Sequence, residues 1–241
     1  MGNKEKLLEE LKKNDIEIKD EAAGKMILYM EEILLKNQSI NLTAIREEEE
    51  FIEKQLIDAL LLIKRKEFIN SKKIVDIGTG AGFPGVPLAI AFPEKEFVLV
   101  DSLNKKLKII DELCDKLSIK NVRTIHGRAE TLGKSKTHRE KYDLCVAKAV
   151  ATMNVLMEYC LPLVKVGGNF IAYKGKNIED EMVEAEKSVR TLGGEVVEVV
   201  NEGYSKYKNI DNHKLVITKK IKKTPIEYPR REGKPAKEPI K

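Results

Sequence analysis

Tryptophan is absent, aromatic residues make up only 5% of the 241-residue chain, and there are three cysteines. Cys114, Cys145 and Cys160 are scattered with no C-x-x-C pair, so neither a disulfide framework nor a metal site is expected. Cys145 lies in an apolar run and reads as a core residue. No apolar run approaches the roughly 20 residues that cross a bilayer. The opening MGNKEKLLEELKK lacks the apolar stretch of a secretory leader. A cytoplasmic protein with no membrane partner is therefore expected. No internal repeat is visible. With 42% hydrophobic and 34% charged residues, the remaining composition is that of a globular chain able to bury a sizeable core.

Net charge is also small, +5, but it is unevenly placed. Residues Lys219 to Lys241 carry nine basic and three acidic side chains, a net +6. The 35 basic and 36 acidic residues before them nearly cancel. A basic tail suits a polyanion such as a phosphate backbone, and equally suits a solvated end. The stretch TPIEYPRREGKPAKEP has four prolines among many charges and is expected to be extended rather than packed.

Three segments follow. Residues 1–70 read as a helical extension, with apolar residues at three- and four-residue spacing in EKLLEELKK, AAGKMILYMEEILLKN and EEEEFIEKQLIDALLLIKR. Residues 71–221 alternate strands and helices. KKIVDI, FVLVD, VRTIH, YDLCVAKAV and NFIAYKG read as strands separated by helical stretches, and GEVVEVV and KLVITKKI as a hairpin. The expected fold class is α/β: a doubly wound, mostly parallel seven-stranded sheet with an antiparallel edge hairpin. The loops after Ile77, Val100, Ile125 and Val146 would then face one ligand site beyond the strand ends. Residues 222–241 form the basic, proline-rich tail.

The first of those loops, in IVDIGTGAGFPGVPLAI, places glycines at 78, 80, 82 and 85. Such density lets backbone approach a ligand that a Cβ would exclude. Read from Gly80, GAGFPG matches the dinucleotide fingerprint, with Asp101 at a spacing that suits a ribose contact in NAD. Read from Gly78, the strand ends D-x-G-x-G, as in many S-adenosylmethionine (SAM) methyltransferases. Three features favour SAM. The Asp76 carboxylate repels a pyrophosphate but suits a cationic amino-acid end. The apolar run stops at Ile77, so the turn falls at Gly78. LVKVGG before the fifth strand is like the glycine turn of Rossmann-like methyltransferases. An NAD-dependent oxidoreductase stays open on these residues, although no Tyr-x-x-x-Lys or other hydride site accompanies the loop.

VDIGTGAGFPGVPLAI, LVDSLNKKLKII, VRTIHGRAE and YDLCVAKAVATMNVLMEYCLPL, with NLTAI near the start and YPRREGKPAKEPI at the end, resemble the RsmG (GidB) family over nearly the whole chain. The resemblance implies a Rossmann-like SAM-dependent enzyme. It also implies methylation of N7 of a guanosine in 16S ribosomal RNA, with the RNA or the small ribosomal subunit as partner. Cofactor contacts carry over to Gly78, Phe83, Ala129 and Glu130. Strand logic adds Gly80, Asp101 and Ser102, and the loop arguments add Asp76 and Gly82. The chain departs from the family at Lys148, which replaces an arginine, at Gln55, which replaces a histidine, and at Lys36, which replaces a tryptophan beside Asn37. Asp58 is kept. Lysine keeps the charge of arginine but not its planar fork, so Lys148 is expected to steer a phosphate or the cofactor carboxylate.

Guanine N7 has an in-plane lone pair and no proton to lose. The implied reaction is therefore an in-line displacement that needs positioning and no general base. No N-P-P-Y tetrapeptide or Pro-Cys pair points to amine or pyrimidine-C5 chemistry. His126 and His213 read as strand-end residues. An accessible guanine in a single-stranded or loop target is expected, with Phe83 and Tyr173 the candidates to stack it. Lys148, Lys174, Arg230 and Arg231 are the expected RNA contacts. A non-catalytic RNA-binding factor and a small-molecule methyltransferase are the other readings.

Overall fold

A computed structural model of the chain describes residues 2–175, 178–201 and 203–241. Its centre is one seven-stranded sheet in the order β3-β2-β1-β4-β5-β7-β6. β1 (Lys73–Ile77) lies between β2 (Glu96–Asp101) and β4 (Tyr142–Lys148), parallel to both. β3 (Val122–His126) pairs parallel with β2, and β5 (Val164–Lys174) with β4. β7 (Lys214–Lys220) runs antiparallel between β5 and the outermost β6 (Gly194–Val200). The expected antiparallel edge is therefore present. The chain leaves β1 toward β3 and returns to β4 on the other side, so strand order reverses beside β1. That is where doubly wound sheets open a crevice at their carboxyl ends.

β1 shows why this strand is central. Ile74 packs into one apolar core and Val75 and Ile77 into the other, so KIVDI is buried on both faces. One face is covered by α1 (Asn3–Lys12), α2 (Asp20–Asn37), α3 (Glu48–Phe51), α4 (Asp58–Leu60), α5 (Lys66–Ile69), α6 (Gly85–Ala91) and α7 (Asn104–Lys116). The opposite face carries α8 (Ala129–Lys134), α9 (Met153–Cys160) and α10 (Ile178–Thr191). The N-terminal helices share a continuous core with Ile74, Leu144, Ile171 and Ile217. They complete the first face rather than forming a separate lobe.

Three local expectations need correcting. The single helix foreseen in EEEEFIEKQLIDALLLIKR is broken: α3 widens into a π-helical turn over Ile52–Ile57, and α4 tightens into a 3-10 turn over Leu61–Lys64. The glycine turn in LVKVGG lies inside β5, where pairing with β4 jumps from Tyr142↔Val164 to Leu144↔Asn169. A Cβ on Gly168 would sit 2.6 Å from the Asp143 carbonyl oxygen, so glycine permits this close pass.

The third correction concerns the tail, which is packed. The Arg139 guanidinium donates to the carbonyls of Thr224 (2.7 Å), Pro225 (3.1 Å) and Tyr228 (2.7 Å). Pro229 is buried, Pro235 is buried in α11 (Lys234–Lys237), and Lys220 is fully buried. Proline and charge suggested solvation, but Lys220 and Arg230 have buried partners far away in the sequence, the Leu161 carbonyl and Glu158.

Lys95 fixes the junction between the helical segment and the sheet. It is 7% exposed, and its ammonium donates to the carbonyls of Phe68 (3.2 Å), Ile69 (3.0 Å) and Ser71 (2.6 Å), at and just beyond the end of α5. It also lies 5.0 Å from the Phe68 ring centroid. Replacing Lys95 with Met removes three charge-assisted bonds, two of them buried. A loss of about 2 kcal/mol in unfolding free energy is expected, read as a lower urea midpoint at unchanged slope.

Candidate functional site

The chain turns sharply after β1. The N–H groups of Gly78 and Thr79 both donate to the Val100 carbonyl (2.9 and 3.1 Å), holding the loop against the end of β2. Asp76 is buried below it. Its Oδ2 accepts from Thr79 Oγ1 at 2.7 Å and from the Gly85 N–H at 3.0 Å. One carboxylate thereby joins the strand end, the loop and the first residue of α6. Asp101, at the end of β2, accepts from Gly80 N–H through Oδ2 (2.9 Å) and from Leu103 N–H through Oδ1 (2.8 Å). This second carboxylate locks the loops after β1 and β2 to each other.

Two glycines show what the turn requires. Gly80 has φ +60°, and a Cβ there would find no neighbour nearer than the Gly78 carbonyl at 4.0 Å. Its open side belongs to the cleft. Gly82 has φ +91°, and a Cβ there would lie 2.5 Å from the Tyr29 hydroxyl. Tyr29 donates that hydroxyl to the Ala81 carbonyl at 2.9 Å, so α2 supports the loop from behind. Phe83 is wedged edge-on against Tyr29 and Phe51, with centroids at 5.8 and 5.3 Å.

Above the carboxyl ends of β1, β2, β3 and β4 lies a cleft of about 380 Å³, within the range of roughly 300–1,000 Å³ typical of small-molecule sites. It is lined by Gly78, Gly80, Phe83, Asp101, Ser102, Ala129, Glu130 and Lys148, all expected from the sequence. Asp76 and Gly82 were also expected there but do not line it. Asp76 braces the loop from inside, and Gly82 faces Tyr29.

The expected RNA cations are differently placed. Lys148 lines the cleft, but its ammonium lies 2.6 Å from Asp58 Oδ2 and donates to Gln55 Oε1 (3.1 Å) and to the Lys54 carbonyl. It is therefore not a free cation. Two of the three departures from the family pattern, Lys148 at the end of β4 and Gln55 on the π-helical turn, touch each other. Asp58 is fully buried and also lies 3.3 Å from His213 Nδ1. Burial pushes the Asp58 carboxyl up, but Lys148 and His213 bring it below its ordinary value. Tyr173 is buried and donates to the Ala59 carbonyl (3.1 Å), so it packs against α4 rather than offering a stacking face. Lys174 is paired with Glu181 at 2.6 Å. The Arg230 side chain forms a two-pronged pair with buried Glu158 (2.6 to 3.1 Å). Arg231 is exposed.

Several lining residues were not expected. Lys106 enters from the first turn of α7 and Arg128 from the loop after β3, and neither has an ion-pair partner among the described residues. Tyr159 comes from α9, and Leu42 and Thr43 from the NLTAI loop. Asn37 holds that loop: Oδ1 accepts from the N–H groups of Leu42 (2.8 Å) and Thr43 (3.1 Å), and Nδ2 donates to the Thr43 carbonyl (2.9 Å). The strand-end rule gave the loops after β2 and β3 but not which of their side chains turn inward. The NLTAI loop is brought in by tertiary packing alone.

Residues 22–210 match the family model described as GidB, rRNA small subunit methyltransferase G. A protein named ribosomal RNA small subunit methyltransferase G from Alkaliphilus oremlandii is 49% identical over 227 residues, 94% of each chain. Proteins of the same name from Clostridium perfringens (44%, 94% of each chain) and Lactobacillus acidophilus (41%, 99% of each chain) are similar to nearly the same extent. A solved candidate O-methyltransferase from Klebsiella pneumoniae superposes with a TM-score of 0.54 at 12% identity, covering 80% of this chain and 90% of that one. At such identity the likeness shows the fold, a Rossmann-like methyltransferase sheet.

The two glycine environments separate folding from binding. Gly80→Ala should fold, with the strain of a positive φ of about 1–2 kcal/mol, and lose ligand affinity at the cleft in calorimetry. Gly82→Ala should instead lower the melting temperature markedly, because its methyl collides with Tyr29. Burial, only partly offset by the Thr79 and Gly85 hydrogen bonds, pushes the Asp76 carboxyl up from its ordinary 3.8 to about 7. The folded state therefore holds this proton more tightly than the unfolded chain. The stability it confers is complete below about pH 4 and lost as pH rises toward 7. Relative to Asp76→Asn, the wild type should lose stability across that window in urea titrations; a constant difference would contradict this.

Proposed function

The chain belongs to the GidB family of rRNA small subunit methyltransferases, and from that premise we propose that it transfers a methyl group from SAM to N7 of a guanosine in 16S rRNA. The observation that carries the cofactor reading is the Gly80–Asp101 junction. The open side of Gly80 lets a ligand approach the backbone. Each Asp101 oxygen accepts one backbone N–H, which leaves a lone pair on each for ribose hydroxyls.

The dinucleotide alternative fits less well. A pyrophosphate needs the free N–H groups of the helix that follows the glycine loop. Here Asp76 takes the first of these, at Gly85, and sets a carboxylate beside it. In the proposed site Gly78, Gly80 and Phe83 form the floor, Asp101 and Ser102 the ribose side, and Ala129 and Glu130 the base side. When bound, SAM supplies an electrophilic methyl group carried on a sulfonium.

The protein's own contribution is positioning. Guanine N7 presents a lone pair without a proton, so no side chain has to take one up. The carboxylates near the cleft suit that reaction. Asp58 is tied to Lys148, Asp76 lies beneath the loop, and Asp101 braces two loops. None stands free as a proton acceptor. For RNA we propose Lys106, Arg128 and Arg231 as phosphate contacts, with Lys148 and Lys174 shaping the surface through their carboxylate partners; Arg230, expected there too, is held by Glu158. The substrate is proposed to be 16S rRNA or the small ribosomal subunit, met in the cytoplasm.

Small subunits from a strain lacking the gene, incubated with the enzyme and methyl-labelled SAM, should acquire label in 16S rRNA. Mass spectrometry of the nucleosides should place it in 7-methylguanosine. Label in another nucleoside would overturn the N7 assignment, and SAM binding without any transfer would favour a non-catalytic binding factor.

A further inference from the structure

The C-terminal tail packs against the two helices that follow β3 and β4, α8 and α9. Residues 224–237 cross α8 and α9 as a strap, held at four places. Arg139 binds the carbonyls of Thr224, Pro225 and Tyr228 and that of Gly133 (2.9 Å), joining the strap to α8. Pro229 fills the space above Gly133, where a Cβ would lie 2.8 Å from the proline ring. Arg230 grips Glu158 through its backbone N–H (2.7 Å) and its guanidinium. Gly233 donates its N–H to Glu130 Oε1 at 2.8 Å, and Thr131 hydrogen-bonds Glu232.

Two of these anchors are buried acids at the same wall. Glu130 is 3% exposed and Glu158 1%. Among the described residues, the hydrogen bonds of both carboxylates come from the strap alone. Glu130 lines the cleft, and Tyr159, next to Glu158, lines it too. A buried carboxylate without its partner is costly and either protonates or moves to water. The position of this wall therefore depends on whether the strap is docked.

We propose that the strap is a positioning element for the cofactor: Arg230 and Gly233, acting through Glu158 and Glu130, set the wall that receives SAM. The proposal rests on the reading that SAM occupies this cleft. It also gives the basic tail a role other than holding RNA. Linkage makes the effect reciprocal, so SAM must in turn hold the strap down.

The test uses the full-length protein. Calorimetry of the wild type with SAM comes first; absence of binding there would refute the reading of the cleft, not the strap. Arg230→Ala should raise the SAM dissociation constant tenfold or more and act on KM for SAM by a larger factor than on kcat, with the salt dependence of RNA binding unchanged. Arg230→Lys should restore part of the affinity. Without SAM, hydrogen exchange of residues 127–133 should speed up in Arg230→Ala. In the wild type, SAM should slow exchange in residues 229–235, a measurement that decides the matter even if Arg230→Ala does not fold. A folded Arg230→Ala with unchanged SAM affinity would overturn the proposal. So would a loss confined to RNA affinity with a flatter salt slope, or wild-type exchange in 229–235 that ignores SAM.

Discussion

The site depends on a carboxylate that lies beneath the cleft and does not line it. Asp76 ends the central strand and, through one oxygen, binds both Thr79 and the Gly85 N–H. Those two bonds fix where the glycine loop leaves β1 and where α6 begins. With its ends set, the loop presents the Gly80 N–H to Asp101, and the loops after β1 and β2 become one surface. The other Asp76 oxygen is buried without a partner, which explains why the carboxyl is pushed up to about 7. Such a position is unfavourable for a charge and is held by the packing around it. A polar group at this depth fixes a backbone path that apolar packing alone would leave free to slide.

The N-terminal helices do related work from the other side. Tyr29 in α2 supports the Ala81 carbonyl, and Asn37 at the end of α2 holds the loop that brings Thr43 to the cleft. Beyond it the π-helical turn carries Gln55 at the cleft and is followed by Asp58, both against Lys148. A widened turn is unfavourable in an isolated helix and persists where tertiary contacts hold it. Here Lys148 is such a contact, since it meets the Lys54 carbonyl, Gln55 and Asp58 together. Lysine suits this cage because its compact ammonium has three donors and can address acceptors in three directions. The planar fork of an arginine would face the same carboxylate differently.

Much of this was legible in the sequence, for definite reasons. The β-branched runs and the glycine loop have short-range signatures, so the strands and the cleft floor at Gly78, Gly80 and Asp101 could be read directly. What could not be read depends on partners distant in sequence. The charge of Arg230 suggested solvent or RNA, and only the fold brings it to Glu158, 72 residues away. Lys148 looked like a free cation until Asp58, on an element 90 residues earlier, was seen beside it. Asp76 was expected to face the ligand because two-residue spacing from Gly78 does not reveal on which side of the loop a side chain lies. The broken third helix escaped notice because its apolar period is the same whether the turns are α, π or 3-10.

The distribution of charge then takes a different meaning from the one its totals suggest. The tail holds the whole positive excess, yet Lys220 is buried within the fold, Arg230 neutralises an interior acid, and Lys234 pairs with Glu238. The cations at the cleft itself, Lys106 and Arg128, lie outside the tail, among the 218 residues whose charges together nearly cancel. Around them the acids hold cations or backbone N–H groups. A site so arranged has little capacity to move protons and considerable capacity to hold shape. That suits the proposed reaction, whose nucleophile, a ring nitrogen with a free lone pair, needs only to be brought into line with the carbon it attacks.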